Sequence, residues 1–321
     1  MRAIGVRTFG GPEALQVLDL PEPHAGPGEV RIRVAAAAVN PTDTGLRAGL
    51  YGDRPGDHDP PYVPGMDAAG VVDEVGEGSP WEVGDAVVAI VLPTGPQGGA
   101  YADQVVVPAE SVVRQPAGTD PVAAATLPMN GLTARVALDA LAIPRGGTIA
   151  VTGAAGAFGG YVVQLAKADG LRVVADAAEA DEELVRTLGA DDVVRRGEDV
   201  AARIRELVPG GVDGLADGSV QDDQVVAAIR DGGGMAVVRG WDGEPGRGIT
   251  VHRVMVFDHA RDTVALDALR RDVEAGALSL RVARTFPAEQ AADAHRVLEA
   301  GGTRGRLVLD FSEPSESDGS P

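Results

Sequence analysis

TIAVTGAAGAFGGYVVQLAKADGLRVVAD, residues 148–176, decides the fold of this 321-residue chain. It opens with a short apolar run (148–153), passes through Gly153, Gly156 and Gly159, and continues with helical apolar spacing over 154–169. It closes in a second β-branched run, LRVVAD (171–176). Strand, turn, helix and strand make one parallel βαβ unit with a right-handed crossover. Glycine permits the tight turn, lets backbone approach a pyrophosphate, and allows the helix to pack closely on the strand. The helix start then offers unpaired N–H groups and a partial positive charge to an anion. The candidates to hold a dinucleotide here are Gly153, Gly156, Ala157, Phe158 and Gly159. A glycine triplet alone is a weak signal; set between a strand and a helix it is a strong one. Lys167, the single lysine, falls at the end of that helix, where a cation meets the negative end of the dipole. That structural role leaves no lysine for Schiff-base chemistry.

Downstream the alternation continues: a helix over 181–189, a strand over 189–195, a helix over 201–208, and strands over 212–218 and 233–240. This implies an α/β, doubly wound parallel sheet. Upstream the texture is different. Residues 31–40, 68–76, 85–91 and 100–108 are short β-branched runs punctuated by Gly, Pro and Asp, the pattern of a barrel or sandwich. Two amphipathic helical segments (264–276 and 289–301) and a last strand (306–311) return to that first domain. The expected organisation is therefore residues 1–118, 119–256 for the nucleotide-binding domain, a return over 257–311, and a polar tail (312–321) read as disordered.

Composition narrows the function. With 28 Lys and Arg against 48 Asp and Glu, the formal charge is −20, which repels phosphate backbones and argues against nucleic acid as a partner. A single nucleotide can still be held locally by an arginine and a helix N-terminus. Mean hydropathy is +0.01, and no apolar run of about 18 residues spans a membrane. The N-terminus lacks the long apolar stretch of a signal peptide, and there is no cysteine. Disulfides and thiolate metal sites are thereby excluded, which fits a cytoplasmic protein. The five histidines (24, 58, 252, 259, 295) lack the spacing of a metal pair.

Further segments complete the picture: NPTD (40–43), PGMDAAGVVDEVG (64–76), GDAVVA (84–89), LPMNGLTARVAL (127–138), LGADDVV (188–194), GGVDGLADG (210–218) and RGRLVL (304–309). With 151–167, and in this order, the set resembles the quinone oxidoreductase (zeta-crystallin-like) branch of the zinc-independent medium-chain dehydrogenases/reductases, over nearly the whole chain except the tail. The resemblance implies a GroES-like barrel domain, a Rossmann-type cofactor domain and a homodimer. Zinc-dependent relatives carry a cysteine and a His-Glu pair where this chain has Asn40 and Met66-Asp67. Without a Lewis acid, alcohol oxidation is a poor reaction for it. Hydride transfer to a quinone or another conjugated carbonyl remains, with the nicotinamide as reagent.

The resemblance also implies site residues. Asn40 and Thr133, with Asn130 nearby, contact the nicotinamide side. Tyr51 lines the substrate mouth and is the candidate to orient or protonate the product. Gly240 and Trp241 lie where relatives close over the nicotinamide, Trp241 being a candidate for the substrate pocket. Arg306 stands where relatives bind the cofactor's phosphates, and Asp67 is either a second polar group at the substrate mouth or a structural carboxylate capping a turn. Read from the residues, Asp176 at a strand end favours a free ribose 2′-hydroxyl, while Arg195 and Arg196 suit a 2′-phosphate. NADPH is the cofactor the resemblance implies, with NADH possible. Two other readings remain: an enoyl-thioester or biosynthetic tailoring reductase, disfavoured by the acidic loop 51–63, and a non-catalytic NADPH-binding sensor or structural protein. The segment 248–257 is a candidate strand for pairing with its copy across a two-fold axis.

Overall fold

The computed structural model describes residues 1–51, 60–95 and 97–312. Most of the acidic loop and of the tail read above as disordered lie outside the described residues. The chain divides into two compact units: residues 1–129, 260–274 and 280–321 in one, 130–259 and 275–279 in the other.

The first unit begins with a small antiparallel pair, β1 (Arg2–Gly5) and β2 (Gln16–Asp19). Then follow β3 (Glu29–Ala38), α1 (Pro41–Ala48), β4 (Asp67–Val75), β5 (Ala86–Ile90), β6 (Gln104–Pro108), β7 (Val112–Arg114) and α2 (Pro121–Ala124). Helix α1 went unseen in the sequence because Thr, Gly and Pro give it low propensity; a capping box makes it instead. The Asn40 side chain receives the N–H of Asp43, the Asp43 carboxylate receives the N–H of Asn40, and Pro41 presets the first turn. Gly49, left-handed at φ 84°, stops it.

The second unit holds most of α3 (Pro128–Leu141), then β8 (Thr148–Thr152), α4 (Ala157–Ala168), β9 (Arg172–Ala177), α5 (Glu182–Thr187), β10 (Asp192–Arg195), α6 (Val200–Leu207), β11 (Val212–Asp217), α7 (Asp223–Val226), β12 (Ile229–Val237) and β13 (Thr250–Arg253). The chain then returns to the first unit through α8 (Thr263–Glu274), β14 (Val282–Pro287), α9 (Ala291–Ala300) and β15 (Arg306–Asp310).

In the first unit seven strands form one sheet in the order β14-β15-β3-β4-β5-β7, with β6 also on β3; only β14–β15 is parallel. Its core is mostly aliphatic, Val30, Ile32, Val72, Val87, Val105 and Leu309 among others, with the rings of Tyr101, Phe286 and Phe311. This is the barrel-type domain expected. In the second unit six parallel strands run β10-β9-β8-β11-β12-β13, the doubly wound order expected. Order reverses between β8 and β11, and there the carboxyl ends of adjacent strands open a crevice for ligands. One side of this core joins Val174, Leu215 and Met235 of the sheet to Val200 and Ile204 of α6 and Val225 of α7.

The boundary differs from the expected 118/119. Residues 119–129 belong with the first unit, because α2 packs on β3, β4, β14 and β15. Residues 257–259 belong with the second. Strand β14 also went unread: at its edge position the first four residues are exposed, so no apolar alternation marks it.

Candidate functional site

In the second unit, β8 ends at Thr152 and the chain turns sharply at Gly153, whose φ is +65°. A Cβ there would lie 2.9 Å from the carbonyl carbon of Gly218, in the loop leaving β11. A Cβ on Gly159 would lie 2.4 Å from the carbonyl oxygen of Gly153. Two of the three glycines are thus required by close backbone approach. Gly156 is different. Its φ is −72°, and a Cβ would meet only the Gly153 oxygen, at 3.1 Å. Gly156 is the N-cap of α4 and has no side chain with which to cap it. The N–H groups of Ala157, Phe158 and Gly159 begin this 12-residue helix. The fit to a dinucleotide pyrophosphate is good: a positive dipole end whose N-cap, Gly156, carries no Cβ.

Asp176, on β9, lies against this turn. It is 2 % exposed; Oδ1 accepts from the Ala154 N–H at 3.3 Å, and Oδ2 is buried without a partner. Burial raises its pKa, opposed by the Ala154 N–H and by the charge of Arg196. Arg196, just past β10, is exposed, and its side chain makes no hydrogen bond or ion pair among the described residues. Arg195 instead pairs with Glu179 at 3.1 Å. Lys167 donates to the Leu171 carbonyl at 3.2 Å and pairs with Asp191 at 2.8 Å, the structural role expected of it.

Across the switch point stands a carboxylate that the sequence reading passed over. Asp217 ends β11 opposite Thr152, is 1 % exposed, and accepts from Thr152 Oγ1 at 2.6 Å. It also accepts from the N–H groups of Ser219, Gln221 and Asp222, which fixes the loop after β11. Its only sequence signal is an Asp-Gly pair at the end of a strand.

Asn130 and Thr133 lie one turn apart near the start of α3, on one face of that helix. Thr133 is 7 % exposed and Asn130 half-buried. Gly240, at φ +68°, follows β12 in open space. Trp241 is half-buried, its ring packed against the core cluster that includes α6 and α7 and over Gly243.

In the first unit the sequence-predicted residues meet in a buried polar cluster. Asp67, on β4, is fully buried; Oδ1 accepts from the Met129 N–H at 2.6 Å, and Oδ2 from Asn40 Nδ2 and Arg306 Nη2, each at 2.8 Å. Arg306 Nη2 also reaches Asn40 Oδ1 at 2.8 Å. Arg306, 3 % exposed, neutralises Asp67 within this unit. Asn40, fully buried, accepts from Arg306 and donates to Asp67 and, at 3.4 Å, to the Ala38 carbonyl. Tyr51 is half-buried, its ring over Gly45 of α1.

Beside this cluster runs a hydrogen-bonded chain that the sequence did not reveal, since its members are far apart along it. Arg47 holds Glu299 at 2.6 Å and lies 3.4 Å from His295 Nδ1; His295 Nε2 meets the Tyr101 hydroxyl at 3.2 Å, which donates to Asp43 Oδ2 at 3.1 Å. Burial and the Arg47 charge push His295 down to about 3, so its ring is neutral. Burial pushes Asp43 up to about 7, against hydrogen bonds from the Asn40 and Gly65 N–H groups.

Comparison with known proteins gives two family models: residues 26–117 match the alcohol dehydrogenase GroES-like domain, and residues 188–309 match a zinc-binding dehydrogenase domain. A quinone oxidoreductase of Pseudomonas aeruginosa is 32 % identical, covering 96 % of this chain and 99 % of its own. A 2-haloacrylate reductase of a Burkholderia species is 31 % identical over 94 % of this chain and 96 % of its own. Among solved structures, a mycobacterial protein complexed with NADPH superposes with TM-score 0.85 at 30 % identity, covering 97 % of this chain and all of its own. An NAD-dependent alcohol dehydrogenase superposes equally well, TM-score 0.85 at 31 % identity, over 97 % and 99 % of the two chains.

The donor set does not fit the zinc that the second model's description implies. The chain has no cysteine, and among the described residues no group of three His, Asp or Glu could hold a metal. Asn40 and Asp67 are already bound to a guanidinium.

Proposed function

The chain belongs to the quinone oxidoreductase branch of the medium-chain dehydrogenases/reductases, and from that premise we propose that it transfers hydride from NAD(P)H to a quinone or other conjugated carbonyl without zinc. The observation that carries this is the glycine-led start of α4 behind the Gly153 turn, a seat for a pyrophosphate. The bound dinucleotide supplies the hydride. The protein's own work is holding the phosphates at that helix start and orienting the nicotinamide. Thr133 and Asn130 are the residues proposed for the second task, and the backbone at Gly240 lies on the same carboxyl edge of the sheet, after β12. Arg196, exposed and without a side-chain partner among the described residues, supports admission of NADPH beside NADH.

Zinc-independence is supported by the buried Arg306 cation among the residues that replace the zinc ligands. An acceptor already electron-poor needs no metal to polarise it, so position and electrostatics suffice. Tyr51 lines the acceptor pocket in this reading. A second reading, reduction of a carbon–carbon double bond conjugated to a carboxylate, is favoured by the likeness to the 2-haloacrylate reductase. Homodimerisation through β13 is supported by its place at the sheet edge, where among the described residues it pairs only with β12.

The test is steady-state oxidation of NADH and NADPH against a panel of quinones, enones and unsaturated acids. Turnover of quinones above the rest supports the first reading, and turnover of unsaturated acids alone supports the second. Binding without oxidation by any acceptor overturns both.

A further inference from the structure

We infer that the second unit carries another ligand site, at the amino edge of its sheet, built for a small zwitterion: an α-amino acid with an apolar side chain. The site is separate from the glycine turn and stands independently of the reaction proposed above.

Its place follows from the topology. α4 begins at the glycine turn and, with 12 residues, is about 18 Å long, so its far end lies a helix length from the dinucleotide seat. There the ends of α3 and α4 and the connection 142–147 form a cleft of about 580 Å³, open to solvent. Sites for small molecules run from about 300 to 1,000 Å³. The apolar part of the lining is Leu138 and Leu171, both buried, with Ile143 half-buried beside them. Ala142, at the rim, holds left-handed backbone at φ +46°, a strained conformation for a residue with a Cβ. Strain of this kind concentrates at ligand clamps.

The charged groups fall into two sets. Arg135 joins Asp139 at 2.7 Å and Asp169 at 2.9 Å, and both carboxylates keep exposed surface. One guanidinium against two carboxylates leaves this side negative, and the carboxyl ends of the α3 and α4 dipoles add to it. Arg145 forms the other set. It is exposed, and its side chain makes no hydrogen bond or ion pair among the described residues. It is nevertheless seated. A Cβ on Gly170 would lie 2.8 Å from Arg145 Cζ and 3.0 Å from Nε, so the guanidinium rests on that glycine, just past α4. Lys167, near the same helix end, is already held by Asp191 and the Leu171 carbonyl.

This arrangement selects the ligand's chemistry. A simple anion would satisfy Arg145 but face the negative side, and a simple cation would leave Arg145 unmet. A neutral apolar molecule would answer neither. A molecule carrying both charges, neutral overall like the four lining groups taken together, matches both sides. Its carboxylate takes the Arg145 fork through paired N–H donors, and its ammonium takes Asp139 and Asp169. Its side chain covers Leu138, Ile143 and Leu171.

The experiment is isothermal titration calorimetry of the full chain, wild type and Arg145→Gln. The probes are phenylalanine, N-acetylphenylalanine, which lacks the ammonium, and phenylalanine amide, which lacks the carboxylate. Wild type is expected to bind phenylalanine with a dissociation constant of about 1 mM or tighter, and each blocked form about tenfold or more weakly. Arg145→Gln is expected to bring phenylalanine down to the level of its amide. Arg145 is exposed, and an unchanged urea midpoint shows that the variant is folded. Blocked forms that bind wild type as tightly as phenylalanine, or phenylalanine affinity unmoved in the variant, overturn the inference. So does the absence of phenylalanine binding up to about 10 mM. Each of these results leaves the dinucleotide reading intact, since that is tested by NADH and NADPH at the opposite edge of the sheet.

Discussion

Replacing the three turn glycines with alanine one at a time separates what the turn needs for folding from what it needs for its ligand. Gly153 sits at φ +65°, where a side chain costs about 1–2 kcal/mol. Its new Cβ would also press on backbone of residues 218 and 219 at 2.9–3.1 Å, adding about 1–3 kcal/mol of overpacking. Gly153→Ala should therefore lose about 2–5 kcal/mol. Gly159→Ala places its Cβ 2.4 Å from the Gly153 oxygen and 2.9 Å from Ala154 Cα, so backbone must move; about 1–3 kcal/mol is expected. Gly156→Ala is the informative member. Its φ of −72° suits alanine, and its single 3.1 Å contact can relax, so stability should change by less than about 1 kcal/mol. Yet that Cβ stands at the helix start, where it would hold a pyrophosphate off the N–H groups. Dinucleotide affinity should fall about 10- to 100-fold. Urea unfolding gives the stabilities and fluorescence titration the affinities. Wild-type affinity in Gly156→Ala, or equal stability losses in all three variants, would refute the reasoning.

Arg196→Ala should weaken NADPH more than NADH in the same titration; equal losses would discard its role at the 2′-phosphate. Arg306→Met leaves Asp67 charged and buried without its cation, and should cost about 3–5 kcal/mol in urea unfolding, much of it recovered by adding Asp67→Leu. Asp43 gives a pH signature. Its carboxyl rises from 3.8 to about 7 on folding, so its contribution to stability is complete below pH 4 and is lost as pH rises towards 7, about 4 kcal/mol at most. Asp43→Asn should flatten the stability profile between pH 5 and 7, measured by urea titration; an unchanged slope there contradicts the assignment. Tyr51→Phe should leave kcat nearly unchanged while Tyr51→Ala raises the acceptor KM, whereas a 10²- to 10⁴-fold fall in kcat for Tyr51→Phe would make the hydroxyl a general acid. Equilibrium ultracentrifugation should find a dimer, and a proline at Val251 of β13 should dissociate it.

The second unit was the most legible part of the sequence. Buried parallel strands read as continuous β-branched runs, and the glycines of 153–159 announce the turn because backbone collision leaves no other residue room at two of them. The barrel was legible as strands but not in its joints. α1 depends on a capping box rather than propensity, β14 is an exposed edge, and α2 belongs by packing to a unit its sequence texture did not suggest. Side-chain commitments were the least legible. That Arg306 meets Asp67 turns on partners hundreds of residues apart: 239 positions separate Asp67 from Arg306. The Asp43–Tyr101–His295–Arg47 chain is assembled in the same way from distant positions.

Single-turnover stopped flow bears most directly on zinc-free hydride transfer. The protein is dialysed against EDTA, loaded with NADH deuterated at the transferred position of C4 or left unlabelled, and mixed with a benzoquinone while the reduced-nicotinamide band is followed. The band should vanish at a rate untouched by the chelator and slowed by deuterium. A band that persists with every acceptor, or activity that returns only with added zinc, would contradict the account.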